Sequence, residues 1–285
     1  MLFRSLAALC LRLGLLNTPN GLTVDEAAIA YNGYGLITTR RDEWLNRLPL
    51  SLRSFGDYKA PLAAYISGLF TSSLGLEIAY FRLPFVLAGV MSIWLAMQIC
   101  RLVVNQFSEY GEQAGLLIGV FFTISPWHLH FSHLGFENNF ALLFTLWGLY
   151  EFLKSIYLFA PQAGVLPLMK TAFFWSLALY SYHAAKVSLP IFALLLLIHY
   201  WRLLRFKIKA LFLAALVGIS TCLPLLYDHL CGAGFTRAGS SFIFDKQFSL
   251  IAKLQLFVKA LLAHLSPAYL WGGQVNLTTM MGELE

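Results

Sequence analysis

The feature that most constrains this chain is the recurrence of apolar runs of helix length separated by short polar stretches. The most convincing is 83–104, and further runs occupy 115–127, 139–153, 171–182, 187–200 and 210–227. None alternates strictly between apolar and polar residues, so the runs predict helices and not barrel strands. Only 12% of the residues are charged and 59% are hydrophobic. Soluble domains carry about 25% charged residues. The expected fold class is therefore an all-α polytopic membrane protein. The net charge of +6 is no argument for nucleic acid, because the basic residues are spread between apolar runs, as in loops that follow the positive-inside rule. Cys10, Cys100, Cys222 and Cys231 show no CxxC or metal spacing and leave the redox compartment open.

The first apolar run, 2–16, carries Arg4 and Arg12 and is short for a span of about 20 residues. A signal peptide is the competing reading, but no small-residue cleavage site follows. Orientation comes from the loop cations. Residues 201–209 hold Arg202, Arg205, Lys207 and Lys209 without an acid, the strongest cytoplasmic marker in the chain. Counting crossings backwards puts 154–170 and 101–113 on the same side. The opposite side receives 126–138, 180–186 and 227–244. With 2–16 starting inside, loop 17–59 also lies outside, provided that 60–76 makes no net crossing and is juxtamembrane or re-entrant. About seven transmembrane helices result. Residues 248–265 are amphipathic, an interfacial helix in preference to an eighth span.

Loop 17–59 holds five of the fourteen acids: Asp25, Glu26, Asp42, Glu43 and Asp57. A structureless loop of this length is unusual and tends to be functional, so short surface helices are expected in it, one over 25–36. Asp25-Glu26 beside an apolar segment is a functional candidate, because acids at a membrane must be solvated or paired. The topology collects Asp25, Glu26, Lys59, His128, His130, His133, Glu137, His183, Lys186 and Arg237 on one face. A carboxylate there can act as a base towards a hydroxyl, and cations can stabilise a phosphate leaving group. Each residue also has an ordinary reading. Asp25-Glu26 suits a helix N-terminus, and Lys59 can snorkel. His133 and Glu137, four apart, would share a helix face and hydrogen-bond structurally, and two such ligands are a weak metal signal. Asn276-Leu277-Thr278 matches a glycosylation sequon, which occurs often by chance.

Several stretches together resemble the GT-C superfamily of polyprenyl-phosphate-sugar-dependent glycosyltransferases. They are similar to the branch related to protein O-mannosyltransferases and the lipid A aminoarabinose transferase. The stretches are 21–32 with Asp25-Glu26, Arg41-Asp42-Glu43-Trp44, 54–62 with Lys59-Ala60-Pro61-Leu62, Arg82-Leu83-Pro84, Ser125-Pro126-Trp127-His128 with Phe136-Glu137-Asn138, 180–186, and Arg237. The resemblance implies inverting transfer of a sugar from a polyprenyl phosphate to a hydroxyl acceptor of unknown identity, on the extracytoplasmic face of a plasma (inner) membrane. It implies that Asp25 is the base or acceptor-orienting group, that Glu26 supports it, and that Lys59 lies near the lipid phosphate. His133, Glu137, Lys186 and Arg237 complete the implied substrate and lipid-phosphate set, with no metal ligand assigned. A divalent cation assists some relatives and not others, so the cofactor is unknown. His133 and Lys186 stand where many relatives have Arg, which loses bidentate phosphate geometry at 186. The resemblance runs from about residue 10 to the end and implies one transmembrane module over 1–285, with 17–76 the first extracytoplasmic loop and 228–285 an extracytoplasmic segment. Relatives continue beyond Glu285, which implies a fragment. The alternative from another class is a non-catalytic transporter or lipid-carrier-binding protein. A transporter would place its charges at the bilayer midplane within inverted repeats; no such repeat is evident.

Overall fold

The computed structural model describes residues 2–18, 20–54, 57–158, 164–234, 236 and 249–265, in two units, 1–234 and 235–285. The protein is mostly helical. In the first unit the helices are α1 (Leu2–Leu13), α2 (Val24–Thr38), α3 (Leu62–Leu74), α4 (Ile78–Val104), α5 (Gly111–Ile124) and α6 (Pro126–His133). They continue as α7 (Asn138–Tyr157), α8 (Val165–Ser181), α9 (Ala185–His199), α10 (Trp201–Leu204), a 3₁₀ turn (Arg205–Lys207) and α11 (Ile208–Cys231). The second unit contains α12 (Leu250–His264), capped by the Ser249 hydroxyl, which accepts from the Ala252 N–H.

Among the described residues, Ile78–Val104 and Trp201–Cys231 are long and apolar enough to cross a membrane. A third candidate is the pair α5–α6, which bends by 64° at Ser125. That is two or three candidate spans where the sequence predicts about seven. One of the expected spans, α7, has 20 residues but is too polar, carrying Glu151 and Lys154; the others differ in length. At about 1.5 Å per residue, helices of 12 to 17 residues, such as α1, α3, α8 and α9, fall short of a hydrocarbon core of about 30 Å. The exposed side of α11 carries Phe212, Leu216, Ile219, Leu223 and Leu226. Exposed apolar surface of this extent fits lipid and not water.

Two further expectations are corrected. Residues 201–209 are not a loop: the cations lie along the helical start of Trp201–Cys231, and Lys207 turns inward to donate to the Ser155 carbonyl. The fold is also not wholly α, because loop 17–59 contains an antiparallel hairpin of β1 (Leu52–Ser54) and β2 (Asp57–Lys59), with Leu52 opposite Lys59.

That loop is ordered by its own side chains. The Asp42 carboxylate accepts from the N–H groups of Trp44 and Asn46 and from the Asn46 amide. Glu43 is tied through its N–H and its carboxylate to the Asn32 amide of α2. Arg53 lies 4.3 Å from the Trp44 ring centroid. Beneath the loop, α2 packs on α3 through Gly33 and Gly68. A Cβ on Gly33 would sit 2.5 Å from the Ala64 carbonyl oxygen, so only glycine permits this approach. The main core joins Ile29, Leu36, Leu52, Phe81, Phe85 and Phe140 from the loop, α2, α4 and α7. Loop 17–59 thus rests on the helical core.

Candidate functional site

Thr23 starts α2 with a capping box: its hydroxyl accepts from the Glu26 N–H, and the Glu26 carboxylate accepts from the Thr23 N–H. This fixes where the two acids point. Asp25 faces outward with 53% of its side chain exposed, and Glu26 faces inward with none exposed.

Asp25 Oδ1 accepts from Lys59 Nζ at 2.6 Å. The lysine is delivered by β2, and its side chain is only 13% exposed. A half-exposed carboxylate and a mostly buried ammonium thus meet where two elements of one loop converge.

Glu26 is a different kind of group. Arg82 of α4 holds it with two prongs, Nε to Oε1 at 2.8 Å and Nη2 to Oε2 at 3.0 Å. The Gly135 N–H, in the turn between α6 and α7, adds a bond of 2.9 Å to Oε1. Arg82 also donates to the carbonyls of Leu16 and Gly21. Burial by itself raises the Glu26 carboxyl. The hydrogen bonds from Arg82, Thr23 and Gly135, with the Arg82 charge, outweigh it and hold the group below its ordinary value. Both oxygens are engaged, so Glu26 positions the start of α2 and is not offered to a substrate.

The remaining expected residues divide. Lys186, at the start of α9, lies 3.2 Å from His229 Nε2 and 3.5 Å from His183 Nδ1. His229 Nδ1 is 2.8 Å from the Leu225 carbonyl, so it carries the proton, and Nε2 accepts from the lysine. The neighbouring Asp228 accepts from Ser51 Oγ at 2.5 Å. Ser51 precedes Leu52, the strand partner of Lys59. The Ser51–Asp228 contact therefore ties the loop that carries Lys59 to the end of α11, where His229 meets Lys186. Asp228 does not figure in the sequence reading; its signal is an acid at the far end of an apolar run, on the same predicted face as Asp25.

His133 and Glu137 do not share a helix face. Leu134 is extended and ends α6, and Glu137 is the N-cap residue of α7. Both are buried; His133 Nδ1 donates to the Leu129 carbonyl at 2.8 Å. Arg237 and Asn276 lie outside the described residues.

Two buried arginines also escape the sequence reading as members of a network. Besides Arg82, Arg12 of α1 is fully buried and reaches α6. Its Nε donates to Ser132 Oγ at 2.6 Å and its Nη2 to His128 Nδ1 at 2.9 Å. Among the described residues, no three His, Cys, Asp or Glu side chains converge as a metal site would require.

Comparison of the chain with protein-family models, curated proteins and solved structures finds no match.

Proposed function

We propose that this protein is a membrane glycosyltransferase that moves a sugar from a polyprenyl-phosphate donor to a hydroxyl acceptor at the extracytoplasmic face of a plasma membrane. The observation that carries the reading is the 2.6 Å contact between Lys59 Nζ and Asp25 Oδ1. It supports the reading because a solvent-accessible carboxylate and a mostly buried ammonium lie side by side, while the buried Glu26–Arg82 pair fixes the helix that carries the carboxylate.

In the proposed reaction the acceptor oxygen forms a bond to the anomeric carbon as the bond from that carbon to the phosphate oxygen breaks, with inversion. The acceptor proton passes to the Asp25 carboxylate, and the leaving bond pair goes to the polyprenyl phosphate. An ammonium has three N–H donors, so Lys59 can keep one on Asp25 and place others on the phosphate. One residue then couples the position of the base to that of the leaving group. In the same proposal Lys186, beside His229 at the end of α11, is the second cation on the lipid phosphate.

The finer topology belongs to the same proposal: about seven crossings with loop 17–59 outside. The shorter helices would match the bilayer through local thinning and snorkelling of their flanking charges.

The test is to incubate membranes containing the protein with labelled polyprenyl-phosphate sugars and identify the labelled product. Transfer that depends on Asp25 supports the reading. Binding of the lipid without turnover favours a lipid-carrier-binding protein.

A further inference from the structure

The segment 40–53 carries Arg40, Arg41, Arg47 and Arg53, all exposed. Among the described residues no carboxylate pairs with any of them. The local acids are used elsewhere: the Asp42 carboxylate is taken up by Trp44 and Asn46, and the Glu43 carboxylate accepts from Asn32. Between the arginines stand three large apolar side chains, Trp44, Leu45 and Leu48, which are exposed too.

These residues belong to one patch. Arg41 Nη1 donates to the Leu45 carbonyl at 2.9 Å, and Arg41 and Arg47 face each other in an antiparallel bridge. The Leu48 N–H donates to the Arg40 carbonyl. Trp44 Nε1 donates to the Arg53 carbonyl at 3.2 Å, with the Arg53 guanidinium over its ring.

The backbone marks out the leucines. Leu45 has φ 64° and Leu48 φ 47°, in the left-handed region that suits Gly or Asn and strains a bulky side chain. Leu45 is 69% exposed, so core packing does not offset that strain. Strain held at an exposed apolar residue points to a contact outside the chain.

The position of the patch identifies that contact. Ser51 bonds to Asp228, near the end of the candidate span Trp201–Cys231. Arg53 is two residues further on, a reach of at most about 7 Å, and Trp44 lies against it. The patch therefore adjoins a span end, the level at which tryptophan enters the interface and arginine stems reach headgroup phosphates. The cations at 202–209 occupy the other end of the same span, so a charge bias towards one face does not account for both sets. Water satisfies the arginines and not the leucines. A zwitterionic surface takes up the apolar residues but offers four cations no net charge. An anionic surface meets both.

We propose that segment 40–53 is an anchor for an anionic phospholipid surface. Trp44, Leu45 and Leu48 lie at the boundary of headgroups and acyl chains, and the guanidinium groups lie on lipid phosphates. The inference rests on the membrane reading of the fold and uses neither Asp25 nor Lys59, so it stands whether or not the protein transfers a sugar.

Backbone hydrogen exchange of the full chain is compared in nanodiscs of phosphatidylcholine alone and of phosphatidylcholine with phosphatidylglycerol, neither containing a polyprenyl lipid. Amides of 40–53 should exchange at least roughly fivefold more slowly in the anionic discs, the worth of one basic residue at such a surface. Salt at about 1 M, where the Debye length is about 3 Å, should remove the difference. Arg40→Gln with Arg47→Gln should remove most of it, and Arg202→Gln with Arg205→Gln should keep it. Leu45→Asn with Leu48→Asn separates docking from folding. Asparagine accepts the left-handed backbone, so the thermal midpoint in detergent is held or raised while the difference shrinks. The proposal is overturned if 40–53 exchanges equally in the two discs, or if the difference survives undiminished in either loop variant. It is also overturned if poly-glutamate protects 40–53 in phosphatidylcholine discs and phosphatidylglycerol does not, which would identify an acidic protein partner. Asp25→Asn leaves the difference intact, which separates this outcome from that of the transfer assay.

Discussion

Glu26 and Arg82, 56 residues apart, form a fully buried ion pair in which two guanidinium nitrogens meet two carboxylate oxygens. The pair fastens the start of α2 to α4, and through Gly135 it also fastens the turn between α6 and α7. Asp25 is the preceding residue of α2, so its direction is inherited from this anchor.

Removing one partner leaves the other charge buried. Glu26→Gln is expected to destabilise the protein by about 3–5 kcal/mol, read as a large fall in thermal midpoint in a fixed detergent. Loss of donor binding and of transfer should follow the loss of fold. A variant that keeps its midpoint would show that the pair is not an anchor.

The same carboxyl gives the acid limb of stability. Its folded pKa lies below the ordinary value of 4.5, so the unfolded chain binds the proton more tightly. The contribution is complete above about pH 4.5 and is lost as pH falls towards the folded value. Thermal midpoints measured through this window should drop in the unsubstituted protein and be flatter in Glu26→Gln. Parallel profiles would remove Glu26 as the cause.

Gly135 is the third contact of the anchor. A Cβ at this position would overlap the Phe81 ring and crowd the Glu26 side chain. Gly135→Ala should lower stability by about 1–3 kcal/mol, as overpacking does, and weaken the hydrogen bond to Glu26. An unchanged midpoint would show that the turn moves freely.

Much of the helical order is legible in the sequence, and the reasons for the misses are specific. The expected helix over 25–36 is α2, because Thr23 and Glu26 form a capping box at its start. The run at 83–104 is the later part of α4, which begins at Ile78 and carries Pro84 in its second turn. Strands of three residues on either side of Gly56 are too short to show a period. Cations at 202–209 read as a loop, yet their long stems let them snorkel to the interface from a continuous helix. His133 and Glu137 read as neighbours only if one helix continues through Gly135, and it does not. The pairing of Arg82 with Glu26 is tertiary. Its sequence signal is an arginine at the start of the apolar run 83–104 with no acid three or four residues away, which demands a more distant carboxylate.

Lys59 is predicted to carry the donor phosphate. Lys59→Ala should weaken binding of a polyprenyl phosphate to the protein in nanodiscs by roughly tenfold to a hundredfold, the worth of a hydrogen bond to a charged group. The start of α2 is held by the Glu26–Arg82 pair, so helical content should be retained. Undiminished binding would take Lys59 out of the site.

The central claim is that Asp25 receives the acceptor proton while Lys59 holds the leaving group. The most direct measurement compares Asp25→Asn with the unsubstituted protein for two quantities, lipid-donor binding and sugar transfer. The account predicts that binding largely survives and transfer is lost, because the base acts only in the transition state. Unchanged transfer by Asp25→Asn would contradict it.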